Sequence, residues 1–128
     1  KHGGDPAPLN PDPATRQKHS MPETTLIVFT TLPDPGSAKA RAGQLVQQEL
    51  AACVNILGKI TSVYCWQGEV QDDTEHQLVI KTTQARYDAL QTWIREHHPY
   101  ELPEIIAVPV ARGLPDYLDW VEESCTSN

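Results

Sequence analysis

The chain has 128 residues, 17 acidic against 10 basic side chains, a formal charge of −7 and 39% hydrophobic residues. That length suits a single domain, and the acidic balance argues against a nucleic-acid or anionic-lipid surface, both of which need clustered Lys and Arg. No apolar run approaches the roughly 18–20 residues that cross a bilayer as a helix, so no membrane partner is expected.

Residues 1–22 carry five of the eleven prolines (Pro6, Pro8, Pro11, Pro13, Pro22) and only two large apolar side chains, Leu9 and Met21. Such a segment cannot bury enough surface to offset its ordering entropy, and it reads as a flexible N-terminal extension. Met21, the single methionine, stands just before the first apolar run and is the expected natural start. The tail holds three basic and two acidic groups, so the remainder carries −8. The acidity belongs to the expected folded domain, residues 23–125.

Leu26-Ile27-Val28-Phe29, followed by Thr30 and Thr31, reads as a buried strand. Pro33-Asp34-Pro35-Gly36 ends it, and Ser37 is the expected N-cap of a helix. In that helix Ala42, Leu45, Val46 and Leu50 recur at 3–4 spacing, and it is expected to end near Ala52. Residues 53–57 and 60–66 form extended segments interrupted at Gly58. Gln67-Gly68-Glu69 is the expected hairpin tip, with Asp72-Asp73 as its competitor, and residues 78–82 return. Thr83 is placed to cap a second helix whose face carries Tyr87, Leu90 and Ile94, with Ala85 and Trp93 beside it. His97-His98-Pro99 ends that helix, because a residue before proline disfavours helical backbone. Residues 104–110 form a last strand, and Pro109 favours a sheet edge. A short helix over residues 115–121 closes the chain. The pattern β-α-β-β-α-β plus a terminal helix is the split βαβ, an α+β ferredoxin-like sandwich.

Two helices on one side of a sheet leave its other face open, yet residues 26–29 and 105–110 do not alternate apolar with polar. Something must cover the second face. Tyr64 and Trp66 on the long hairpin are candidate contact anchors for an oligomer, whereas the terminal helix is short for covering that face alone.

The candidates for chemistry are few. His97-His98 at a helix end is favoured by the helix dipole without any ligand, but the pair also offers imidazole nitrogens to a metal. Neighbours on a helix diverge by about 100°, so both can reach one ion only where the helix has broken, and Pro99 supplies that break. Cys53 and Cys65 have no zinc spacing and no motif of a catalytic thiol around them. Together with Cys125 they read as buried residues of a reduced, cytoplasmic chain. Glu75, Glu101 and Glu104 are candidate acid–base groups or solvated carboxylates. Lys81, at the end of an apolar strand, is either a salt-bridge partner or the cation of a small-ligand site. No Gly-rich phosphate loop is present, so nucleotide hydrolysis has no support.

The runs Leu50-Ala51-Ala52-Cys53-Val54-Asn55-Ile56, Ser62-Val63-Tyr64-Cys65-Trp66-Gln67-Gly68-Glu69 and Ile80-Lys81-Thr82-Thr83 resemble the CutA family of divalent-cation tolerance proteins. The run from His97-His98-Pro99 to Ile105, together with Tyr117-Leu118-Asp119-Trp120, extends the resemblance over residues 25–123. It implies a ferredoxin-like subunit in a compact, PII-like homotrimer, located in the bacterial cytoplasm and involved in tolerance of copper and other divalent cations. It brings no established reaction, so no enzyme is expected. Among bacterial members associated with copper, the proposed ligands are a cysteine late in the first strand and the two histidines before the proline. The histidines match His97 and His98; the cysteine position holds Thr30, a poor substitute for a thiolate. The resemblance also implies a pocket between subunits, near which Cys53, Trp66, Glu75, Lys81, Glu104, Tyr117 and Trp120 are expected. The expectation is therefore a non-catalytic trimer that binds metal weakly or signals in the PII manner. Its alternative is a small-molecule sensor or enzyme built on Cys53, Lys81 and Glu104.

Overall fold

A computed structural model of the chain describes residues 23–126, and the expected N-terminal extension lies outside them. The elements follow in the order β1 (Thr25–Leu32), α1 (Pro35–Gln47), β2 (Cys53–Trp66), β3 (Glu69–Thr83), α2 (Gln84–His97), β4 (Ile106–Pro109) and α3 (Pro115–Ser124). All strand pairs are antiparallel, and the four-stranded sheet has the order β2-β3-β1-β4. This is an α+β fold. β4 is an edge strand, as Pro109 required. Among the described residues no helix is long and apolar enough to cross a membrane.

Register decides which side chains share a face. Leu26, Val28 and Thr30 of β1 stand opposite Thr82, Ile80 and Leu78 of β3. These positions meet Ala38, Ala42 and Leu45 of α1 and Leu90 and Ile94 of α2 in one buried core. The intervening positions point the other way: Ile27 and Phe29, paired with Lys81 and Val79 on β3 and with Val108 and Ile106 on β4. On that second face Ile106 is 55% and Val108 45% exposed. α3 leaves these two exposed. Instead α3 packs where β2 begins, its Val121 and Cys125 closing a small cluster with Ala52, flanked by Tyr117 and Trp120.

The helix ends differ from expectation, each for a local reason. Asp34, not Ser37, is the N-cap of α1: its Oδ1 accepts from the Ser37 amide at 2.8 Å, and Pro35 takes the first turn. A carboxylate suits the positive helix end better than a hydroxyl, and the fixed φ of proline is already helical. The same helix ends at Gln47 rather than Ala52. Glu49 turns left-handed (φ 60°), and the amides of Glu49 and Leu50 donate back to Val46 and Leu45 at 3.0 Å. That is a Schellman closure, with buried Leu50 as its apolar residue. At α2, Thr83 stands at the N-cap but its side chain makes no capping bond. The Gln84 amide donates to Thr24 O and the Ala85 amide to Glu23 Oε2, both at 2.9 Å, so the segment before β1 does the capping.

β2 runs unbroken through Gly58, with a register shift between Leu57 and Ile60. The tip is the two-residue turn Gln67-Gly68, both with positive φ (53° and 82°), as the twist of a hairpin demands. Asp72 and Asp73 lie within β3, opposite Val63 and Ser62. β1 pairs with β3 only as far as His76, so residues 60–66 and 69–75 pair only with each other and project as a ribbon. Its Val63 and Val70 are largely exposed. The cysteine expectation is corrected for the same reason: Cys125 is buried, Cys53 half-buried, and Cys65 exposed because it rides on this ribbon.

Candidate functional site

Two polar regions flank the open face, and a histidine pair stands behind one of them. β1, α1 and the end of α2 bring Thr30, Arg41, His97 and His98 around one small cleft with room for little more than a water molecule. His98 Nε2 lies 2.7 Å from Thr31 O, and its Nδ1 accepts the Tyr100 amide at 3.1 Å. A carbonyl at one nitrogen and an N–H at the other fix a neutral tautomer with both nitrogens occupied. Burial pushes this imidazole below its ordinary value, against the opposing pull of the Thr31 carbonyl and of Glu75. His97 stacks on Trp93 (centroids 4.1 Å apart, 15° between planes), and its Nδ1 lies 2.8 Å from Trp93 O. Among the described residues, His97 Nε2 is the one nitrogen of the pair without a partner.

Those residues do not fit a tight copper centre. Thr30 Oγ1 is buried without a hydrogen-bond partner among the described residues, and a neutral hydroxyl is a weak donor to copper. Arg41 lines the same cleft, its Nε donating to His97 O at 2.9 Å, and a guanidinium there opposes a second cation. Among the described residues no three His, Cys, Asp or Glu are grouped to hold an ion.

In front of the histidines, on the open face, stands a buried carboxylate. Glu75 Oε2 accepts from Tyr100 OH at 2.9 Å and from Thr31 Oγ1 at 3.2 Å. Two residues away Asp73 accepts from Tyr64 OH. Burial, then the Glu75 hydrogen bond and charge, push the Tyr100 phenol far above its ordinary value. Thr31 and Tyr100 carried no individual role in the sequence reading, although Tyr100 lies within the run that follows the histidine pair. Their signal is a partnership across 44 and 25 residues, which spacing along the chain does not contain.

At the far end of the same face Cys53 stands opposite Lys81, and Lys81 Nζ donates to Asn55 Oδ1. Tyr117 and Trp120 pack together at 5.5 Å near this end, and burial raises the Tyr117 phenol, with Cys53 adding to the effect. The expected pocket residues thus fall into separate groups within one subunit. Glu75 lies six residues from Lys81, roughly 20 Å along β3, and Trp66, opposite Glu69, roughly 40 Å. Glu104 precedes β4 and lies four positions, roughly 13 Å, from Val108. Since Val108 pairs with Ile27, itself opposite Lys81, Glu104 is nearer the Glu75 end.

The family described as "CutA1 divalent ion tolerance protein" matches residues 26–124, from β1 through α3. The chain belongs to the CutA1 family. Among CutA relatives, the "Divalent-cation tolerance protein CutA" of Thermus thermophilus is 45% identical over 98 residues, covering 77% of this chain and 95% of that protein. The solved structure of the Thermus thermophilus Cut A1 protein superposes with a TM-score of 0.78 at 43% identity, covering 80% of this chain and 99% of that one. The "Protein CutA 1, chloroplastic" of rice is 40% identical over 111 residues, which are 87% of this chain and 63% of the relative. The chain spans about three-fifths of the length of the plant and mouse CutA relatives it matches.

Proposed function

We propose that this chain is the subunit of a ferredoxin-like, PII-like homotrimer that takes part in the response to and tolerance of divalent metal ions, copper among them, by signalling and without catalysis. The observation that carries the reading is the bare apolar face of a CutA1 sheet, with Ile106 and Val108 about half exposed beside half-buried Ile27 and Phe29. The projecting ribbon supports it too, since a lone two-stranded hairpin is marginal in water and gains from a neighbour. Copper or another divalent cation enters as a weakly held effector rather than a resident cofactor, with His97 Nε2 as its anchor. Its three unpaired thiols support a cytoplasmic location.

Light scattering and copper titration test this together. The expected mass is three times the 14.2 kDa subunit, and a single-subunit mass at micromolar concentration refutes the assembly. His97→Ala is expected to abolish the weak copper binding. Equal affinities in wild type and a His97→Ala/His98→Ala double variant refute the metal assignment.

A second reading, a small-molecule sensor or enzyme in an inter-subunit pocket around Cys53, Lys81 and Glu104, is favoured by one arrangement. Half-buried Lys81 stands opposite Cys53, and the aromatic pair Tyr117 and Trp120 lies close by. A thermal-shift screen of small anionic metabolites tests it, because a specific ligand stabilises the folded state by mass action. Absence of any shift that is lost in Lys81→Ala removes this reading.

A further inference from the structure

Glu75 and Lys81 lie on the same face of β3, and among the described residues each lacks a partner of opposite charge. Glu75 is only 8% exposed, its Oε2 holds two hydroxyl donors, and among the described residues it makes no ion pair with Lys or Arg. His98, the nearby imidazole, is committed to Thr31 O and the Tyr100 amide and stays neutral. Lys81 is half-buried, and among the described residues its ammonium donates to the neutral amide oxygen of Asn55 and to no carboxylate. A carboxylate out of water and an ammonium partly out of it are each unfavourable without a counter-ion. Gln77 and Val79, opposite Thr31 and Phe29, lie between them, and apolar Ile27 stands opposite Lys81.

In a three-fold ring the contact is heterologous, so two different patches of the chain meet and a residue can face a different residue of its neighbour. We propose that Glu75 of each subunit pairs with the partner subunit's Lys81, so that the two charges, unmatched among the described residues of one chain, neutralise each other around the ring. The proposal rests on the trimer reading above. It also accounts for the roughly 20 Å that separates the two groups within a subunit, a distance that forbids their pairing there.

Sedimentation equilibrium of the full chain in graded urea tests it, using Glu75→Gln, Lys81→Met and the double variant. Glu75→Gln keeps an acceptor for the two hydroxyls and Lys81→Met keeps the apolar stem, so far-UV circular dichroism is expected to stay unchanged. Each single variant is expected to weaken assembly at least tenfold and to reduce its salt dependence, with the double variant no weaker than the weaker single. Effects that multiply in the double variant overturn the pairing, as does a wild-type trimer unaffected by either substitution. A wild type that sediments as one subunit overturns the trimer reading as well.

Discussion

Tyr100 OH donates to Glu75 Oε2 at 2.9 Å, tying the loop after α2 to the face of the sheet that the helices leave bare. The same loop is held a second time where the Tyr100 amide donates to His98 Nδ1. A buried carboxylate, a phenol and a neutral imidazole therefore form one connected unit, and its parts respond differently to mutation and to pH.

Removing the phenol tests the first link. Tyr100→Phe leaves Glu75 with one hydroxyl donor, and hydrogen bonds to charged groups contribute about 1.5–3 kcal/mol. A loss of about 1.5–2 kcal/mol is expected in urea unfolding at pH 7. The Tyr100 phenol titrates above its ordinary 10.0 when folded, so its contribution is complete below pH 10 and is lost as pH rises through the folded value. The gap between wild type and Tyr100→Phe should therefore narrow in alkali.

The imidazole behaves in the opposite sense. Burial lowers the His98 pKa from 6.5, so the unfolded chain takes up its proton first as pH falls. The stability that His98 contributes is present above pH 6.5 and is lost as pH drops towards the folded value. Urea midpoints are expected to fall between pH 7.5 and 5. The fall should be smaller in His98→Asn, whose amide oxygen can still accept from the Tyr100 N–H.

Thr30 offers a substitution that should gain stability. Its hydroxyl is buried and unpartnered among the described residues, so the isosteric Thr30→Val removes a desolvated polar group without opening a cavity. An increase of about 1 kcal/mol in unfolding free energy is expected from denaturant titration, and a decrease would show that the hydroxyl holds an essential partner.

Glu49 offers another. It adopts φ 60° just past the end of α1, and its exposed side chain has no part in the closure, which is made by backbone amides. Glu49→Gly removes the left-handed penalty and is expected to raise stability by about 0.5–1 kcal/mol in thermal or urea unfolding.

Much of the fold is legible along the chain because strand and helix patterns are local. The run from Leu26 to Phe29, the 3–4 spacing from Ala42 to Leu45, and the break at His98 before Pro99 are each set within a few residues. Gly68 marks the hairpin tip for an equally local reason, its φ of 82°. Helix ends were less legible, because several groups compete to cap them. Asp34 outdoes Ser37 from three residues away, and Glu23 caps α2 from 62 residues away.

The candidate site divides in the same manner. Sequence by itself determined that this is a CutA1 chain with Thr30 ahead of the histidine pair, an open apolar face, and charged residues strung along β3. Tertiary structure decided what those residues do. It spent both nitrogens of His98 on the backbone, set Arg41 beside the histidine pair, and buried Glu75 under Thr31 and Tyr100. The physical reason is that periodicity tells which way a side chain points, whereas a hydrogen bond between distant residues depends on the register of β1 against β3 and on the bulge in β2.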